Sequence, residues 1–318
     1  MGGIVVIHQA APPELAFLCR VACLRRIHRG NARRPRRNAA SSAFPAPLPH
    51  TVVIVSIALV ITSGATSFAL SRVVRDYALR MRWIDHPNER SSHDSPTPRG
   101  GGLAIIVAAV GALIIGALTG VVNARDAVVL GVGAAVLGTV GWLDDIKTLS
   151  VALRFGVQAA IALMVVIVVG GLSSLRLGTT TIHLGLAGYL LATVGIVWSI
   201  NLFNFVDGID GFAASQAALI FAAAAILFLA RGEHSMGLVA AVFGAASAGF
   251  LKLNWPPAEI FMGDVGSVSI GFLLATMSIM SENRGSVPLL TFAILGALPI
   301  ADATVTLVRR LARGNKPV

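Results

Sequence analysis

The chain has 318 residues, 55% hydrophobic and 13% charged, with a formal net charge of +10 and a mean hydropathy of +0.80. Too few polar groups exist to cover the surface of a soluble domain, which excludes that class along with collagenous, disordered and disulfide-stapled chains. The bilayer is the solvent that such a composition fits, and the length allows one membrane domain.

Residues 1–50 differ from the rest. Residues 4–24 are apolar but interrupted by Pro12, Pro13 and Glu14, and the stretch from Arg20 to Arg37 packs eight arginines into eighteen positions. This segment reads as a disordered basic extension that touches lipid headgroups, or as the product of a misassigned translation start. It has no interleaved aromatics, so no nucleic-acid partner is expected. Cys19 and Cys23 form no disulfide framework, and no Cys/His set has zinc spacing.

From Thr51 onward, residues 51–318 read as a multi-span membrane domain. Apolar runs near 51–70, 103–122, 127–143, 155–172, 187–203, 214–230, 236–253, 267–281 and 288–306 each approach the ~20 residues that cross about 30 Å of hydrocarbon. Backbone groups in lipid must be satisfied within the segment, so the runs are expected to be helices. The fold expectation is therefore an all-α polytopic membrane protein with about nine transmembrane helices and cytoplasmic catalytic loops. Residues 173–184 alternate apolar and polar and predict a small hairpin outside the membrane.

Charge orients the spans. With Thr51 outside, thirteen basic residues (Arg72, Arg75, Arg80, Arg82, Arg90, Arg99, Lys147, Arg154, Lys252, Arg309, Arg310, Arg313 and Lys316) fall on the inner face. Four, Arg125, Arg176, Arg231 and Arg284, fall on the outer face. The positive-inside rule then places the loops carrying the acidic motifs in the cytoplasm.

Five of the fifteen carboxylates gather at these inner helix ends: Asp144 and Asp145, Asp207 and Asp210, and Asp264. A carboxylate at a helix C-terminus opposes the helix dipole by roughly 0.3–1 kcal/mol, so a compensating cation is expected. Oxygen ligands favour magnesium, with manganese as a substitute. Asn201, Asn204, Asp207 and Asp210 are spaced three apart, as on one helical face. In the first inner loop, Arg99 suits a bidentate phosphate contact. Gly100, Gly101 and Gly102 would let backbone N–H groups approach an anion. Asp302 is an intramembrane acid and a functional candidate on that ground.

The stretches DHPNERSSHDSPTPRGGG (85–102), GWLDDIKTLS (141–150), NLFNFVDGIDGFA (201–213), PAEIFMGDVGS (257–267) and PIADATVTLVRR (299–310) resemble those of the polyprenyl-phosphate N-acetylhexosamine-1-phosphate transferases. That superfamily, glycosyltransferase family 4, includes the phospho-N-acetylmuramoyl-pentapeptide transferases. The motifs keep the family's order across about 225 residues, and the first loop looks more like enzymes that initiate O-antigen-type glycans. The resemblance implies transfer of a sugar-1-phosphate from a UDP-N-acetylhexosamine to undecaprenyl phosphate in the bacterial inner membrane, with UMP released. It implies catalytic roles for Asp144, Asp145, Asp207 and Asp210, and metal binding by Asp207 and Asp264. Asn201, Asn204, His93, Arg99 and Lys147 are the expected substrate-binding residues. Direct attack by the lipid phosphate is expected in preference to a covalent aspartyl intermediate. A homodimer is carried as a further partner.

Family members usually continue past the TLVRR helix into a His/Arg loop and further spans, so a shortened chain is expected here. The competing reading is a catalytically inactive relative acting as a membrane scaffold. A transporter would place acids near the midplane and show repeats. A CDP-alcohol phosphotransferase would need an arginine and later aspartates after DGIDG; FAASQA follows instead.

Overall fold

The computed structural model describes residues 49–85 and 96–313. Of the extension expected over 1–50, residues 1–48 lie outside the described residues, as do His93 in the first inner loop and Lys316 near the C-terminus, while His50 already begins the first helix.

Helix α1 (His50–Met81) leads into a short antiparallel pair of two-residue strands, β1 (Ile84–Asp85) and β2 (Thr97–Pro98). Then come α2 (Gly102–Leu118), α3 (Ala124–Lys147), α4 (Val151–Val169), the hairpin β3 (Ser174–Leu177) and β4 (Thr180–His183), and α5 (Ala187–Val206). The chain continues through α6 (Phe212–Ala230), α7 (His234–Asn254), α8 (Asp264–Asn283), α9 (Leu289–Leu295) and α10 (Ala297–Ala312). Seven of these helices are long and apolar enough to cross a membrane. The fold is all-α and polytopic, as the hydropathy requires.

Three spans depart from the sequence reading. The first is longer: α1 runs 32 residues, about 48 Å at 1.5 Å per residue, and so carries Arg72, Arg75 and Arg80 beyond the hydrocarbon on a continued helix. The second is shorter, with 17 helical residues instead of a run to 122. The ninth, expected over 288–306, is broken into α9 and α10 at 68°. Pro299 explains the break. It has no N–H for the Leu295 carbonyl and its ring crowds that carbonyl, so the ladder of α9 cannot continue into α10.

Side-chain capping starts two of the helices. The Asn123 side chain accepts from the N–H of Arg125 at 2.9 Å to start α3, and Ser150 accepts from Leu153 at 3.3 Å to start α4. The predicted hairpin over 173–184 forms, with Arg176 opposite Thr181.

Helix α8 is the axis of the bundle and is buried along nearly its whole length. It packs against α3 and α5 through small and hydroxyl residues, as membrane helices do when no hydrophobic driving force separates helix from lipid. Ser269 Oγ donates to the Ala134 carbonyl at 3.1 Å, and Ser199 Oγ donates to the Gly271 carbonyl at 2.8 Å. At its far end, Glu282 has a fully buried side chain. Arg176 reaches it from the hairpin with its backbone N–H at 2.7 Å and its Nε at 3.0 Å. The Leu289 N–H donates to the same carboxylate at 2.7 Å. Nearby, Asp126 on α3 pairs with Arg284 just past α8.

Removing one partner of a buried ion pair leaves an uncompensated charge. Arg176→Ala is therefore expected to destabilise the purified protein by about 3 kcal/mol, with a smaller loss for the Arg176→Ala/Glu282→Gln double variant. Thermal unfolding in detergent measures both.

Candidate functional site

The site is built where helix ends of opposite polarity meet. Helix α3 carries Asp144 and Asp145 in its last turn and stops at Thr148, which adopts a left-handed conformation with φ 48°. The electronegative end of α3 would repel both carboxylates. The first turn of α8 supplies the compensation: the N–H groups of Asp264 and Val265 donate to Asp145 at 3.2 and 3.4 Å. The preceding N–H, of Gly263, donates to Asp207 at 3.1 Å. Three consecutive donors of a helix N-terminus thus hold two of the protein's own carboxylates.

Two glycines make that approach feasible. A Cβ on Gly141 would lie 2.6 Å from the Asp264 carbonyl carbon, so only glycine lets α3 touch the start of α8. Gly263 has φ 73° and ψ 174°, a conformation closed to residues with a side chain. A Cβ there would also lie 2.5 Å from Asp145 Oδ2.

Asp264 faces the other way. Its Oδ1 accepts from Asn204 Nδ2 at 2.8 Å, and its Oδ2 lies 3.5 Å from Arg154 Nη1. The same Arg154 nitrogen donates to Asp144 Oδ2 at 2.8 Å, while Asp144 Oδ1 accepts the Leu149 N–H at 2.5 Å. On the opposite flank, Arg99 stands between Asp85 at 3.8 Å and Asp145 at 4.0 Å. Its Nε is buried and makes no hydrogen bond among the described residues. Burial, followed by the neighbouring charges of Asp145 and Asp264, pushes the Asp207 carboxyl well above the ordinary carboxylate range.

The residues singled out in the sequence separate here into two groups. Asp144, Asp145, Asn204, Asp207, Asp264 and Arg99 come together. Asp210 does not continue their row: α5 ends at Val206, the chain turns, and Asp210 accepts the Ala258 N–H at 3.0 Å, docking the loop before α8. Asn201 sits one turn deeper and donates to Gln158 Oε1 at 2.9 Å and to the Val197 carbonyl. Lys147 is exposed at the end of α3. Asp302 lies on α10, half-buried, and forms no salt bridge among the described residues.

The glycine run corrects an expectation. The N–H groups of Gly101 and Gly102 donate to the carbonyls of Phe261 at 2.9 Å and Met262 at 2.8 Å, so they fasten the first loop to the entry of α8 and do not face an anion. Sequence reasoning also passed over Arg154, whose signal was an arginine in the first turn of an otherwise apolar span. It passed over Asn254, which is buried and joins the Gly211 N–H at 3.1 Å to the Ile260 carbonyl at 3.0 Å.

Among the described residues no three carboxylate, imidazole or thiol groups already stand in metal-ligating positions. The chemistry of the donor set nevertheless fits a hard cation. The charges of Asp145 and Asp264 are close enough to raise the proton affinity of Asp207, and all three residues offer oxygen donors.

A family model described as glycosyl transferase family 4 matches residues 127–282. A probable undecaprenyl-phosphate N-acetylglucosaminyl 1-phosphate transferase of Bacillus subtilis is 31% identical over 258 residues, covering 79% of this chain and 70% of the relative. The chain belongs to glycosyl transferase family 4. A decaprenyl-phosphate N-acetylglucosaminephosphotransferase of Mycobacterium tuberculosis is 33% identical over 301 residues, covering 85% of this chain and 73% of the relative. A phospho-N-acetylmuramoyl-pentapeptide-transferase of Mycolicibacterium vanbaalenii is 32% identical over 262 residues, covering 68% and 71%. The matched region of the family model includes Asp144, Asp145, Asp207 and Asp264 and the helices that bring them together.

Asp207 titrates above its ordinary value of 3.8, so the folded protein binds more protons than the unfolded chain from about pH 4 up to the raised value. Stability should therefore fall as pH rises through that window. Thermal midpoints across pH 4–8 should show this slope, flattened in Asp207→Asn and opposed by added magnesium.

Proposed function

We propose that this chain transfers N-acetylhexosamine-1-phosphate from a UDP-sugar to a polyprenyl phosphate, releasing UMP and initiating a cell-envelope glycan. The observation that carries the reading is the convergence of Asp144, Asp145, Asp207 and Asp264 with Arg99 and Arg154 at one end of the bundle. The names of the family relatives, polyprenyl-phosphate N-acetylglucosamine-1-phosphate transferases, supply the substrate class. The positive-inside distribution supports a cytoplasmic site in a bacterial inner membrane.

The residues divide the work by chemistry. Asp207 and Asp264 would hold magnesium, which when bound neutralises the diphosphate and the charge on departing UMP. Arg99, whose buried Nε makes no hydrogen bond among the described residues, would take a phosphate oxygen of the donor. Arg154 balances Asp144 and Asp264 and sets the direction of both carboxylates. Asp144 and Asp145 orient the lipid phosphate and accept its proton. A phosphate oxygen of the lipid attacks the sugar-bearing phosphorus, the bond to the bridging oxygen breaks, and UMP leaves with the electron pair. Such a transfer depends on positioning and charge neutralisation more than on covalent participation by the protein. The apolar cavity between α5, α8 and the α9–α10 break, lined by Leu202, Phe203, Phe292 and Ile300 among others, suits an isoprenoid tail.

The test is UMP release by the membrane-inserted chain from UDP-N-acetylhexosamines, with and without undecaprenyl phosphate and magnesium. Release is expected only with all three components. Asp207→Asn, Asp264→Asn and Arg99→Ala should each lower kcat by about 10²–10³. Release that persists without lipid, or in the aspartate variants, would overturn the reading. Absence of release from a folded chain would favour an inactive scaffold.

A further inference from the structure

Helices α1 and α7 cross unusually closely. A Cβ on Gly249 would lie 2.2 Å from the Gly64 carbonyl oxygen and 3.2 Å from the Phe68 backbone nitrogen. This contact sets the register of the two helices one turn later, where Phe68 of α1 meets Lys252 of α7. There the Lys252 ammonium lies 5.6 Å and the Arg72 guanidinium carbon 6.0 Å from the centre of the same Phe68 ring. A ring face attracts a cation, but two cations gathered on one ring repel each other. Neither forms an ion pair with a carboxylate among the described residues. Asp76, four residues along α1 from Arg72, is engaged by Arg75, as is Glu259.

The depth of the pair is informative. Arg72 lies 22 residues after the start of α1, roughly 33 Å along the axis, and Lys252 lies 18 residues after the start of α7, roughly 27 Å. Both distances match the ~30 Å hydrocarbon core, so both charges emerge at the same boundary. Trp255, 63% exposed three residues beyond Lys252, stands where interfacial aromatics anchor a protein. Two unpaired cations, an apolar ring beneath them and an interfacial tryptophan together match the headgroup region of a charged lipid.

We propose that Arg72 and Lys252, seated over Phe68, bind the headgroup phosphate of an anionic phospholipid in the leaflet adjoining the carboxylate end of the bundle. The lipid phosphate supplies the negative charge that the two cations lack, and its chains lie along the exposed apolar face of α1, which presents Ile57 and Ile61. The site is separate from Asp145, Asp207 and Asp264, and does not depend on the proposed transferase activity.

Native mass spectrometry of the full chain, exchanged into equal parts phosphatidylglycerol and phosphatidylcholine, tests this. The protein should retain phosphatidylglycerol selectively, and Arg72→Gln/Lys252→Gln should lower that occupancy about tenfold, with intermediate single variants. Arg80→Gln, which removes an exposed charge from the same helix, should leave it unchanged. Equal thermal midpoints in phosphatidylcholine alone would establish that the double variant is folded; if it is not, Lys252→Gln decides. Retention of phosphatidylglycerol by the variants overturns the proposal. So does an equal loss in Arg80→Gln, which would mean diffuse charge attraction, or displacement of the lipid by inorganic phosphate.

Discussion

Asp145 occupies a position that its own helix opposes. It lies in the last turn of α3, where unpaired carbonyls concentrate negative potential, and it is largely withdrawn from solvent. The donors that stabilise it are the first N–H groups of α8. Much of the architecture follows from the need to bring those two helix ends into contact. Gly141 removes the side chain that would hold them apart, and Gly263 turns the chain sharply enough to expose three successive N–H groups. The loop before Gly263 is fastened in turn by Asn254, by Asp210 and by the carbonyls that receive Gly101 and Gly102.

That arrangement concentrates negative charge at one end of the bundle. Asp145 and Asp207 share the α8 N-terminus, and Asp264 opens the same helix. Arg99 pairs with Asp145 and Arg154 with Asp144 and Asp264, two cations against four carboxylates. A preorganised field of this kind, at the edge of a low-dielectric bundle, suits recognition of a polyanion accompanied by a hard cation. The opposite end uses its charges differently. Glu282 and Asp126 each pair with arginine, Arg176 and Arg284, and secure the β3–β4 hairpin and the end of α8. The same residue types thus fasten one end and leave the other electrostatically incomplete.

Hydropathy alone established an all-α membrane protein, because backbone groups in lipid permit little else. It located the spans, and the alternation over 173–184 marked the hairpin. The motifs marked Asp144, Asp145, Asp207 and Asp264, since carboxylates at helix ends in an apolar chain carry a cost that invites a ligand. Local periodicity failed where a helix stopped. The three-residue spacing suggested one row from Asn201 to Asp210, but α5 ends at Val206, and the turn sends Asp210 toward Ala258. Pro299 was visible in the sequence, yet whether it kinked or broke the last span depended on packing.

Only the tertiary structure decided which donors meet which acids. Arg154 is ten residues from Asp144 and 110 from Asp264, and no local pattern specifies a contact with both. The N–H groups of Gly101 and Gly102 are spent on a strand of chain some 160 residues away. Composition and motif record what each segment needs, namely burial, compensation or a turn. The partner that meets the need is chosen by close helix packing, because hydrogen bonds and ion pairs act over a few ångströms whatever the separation along the chain.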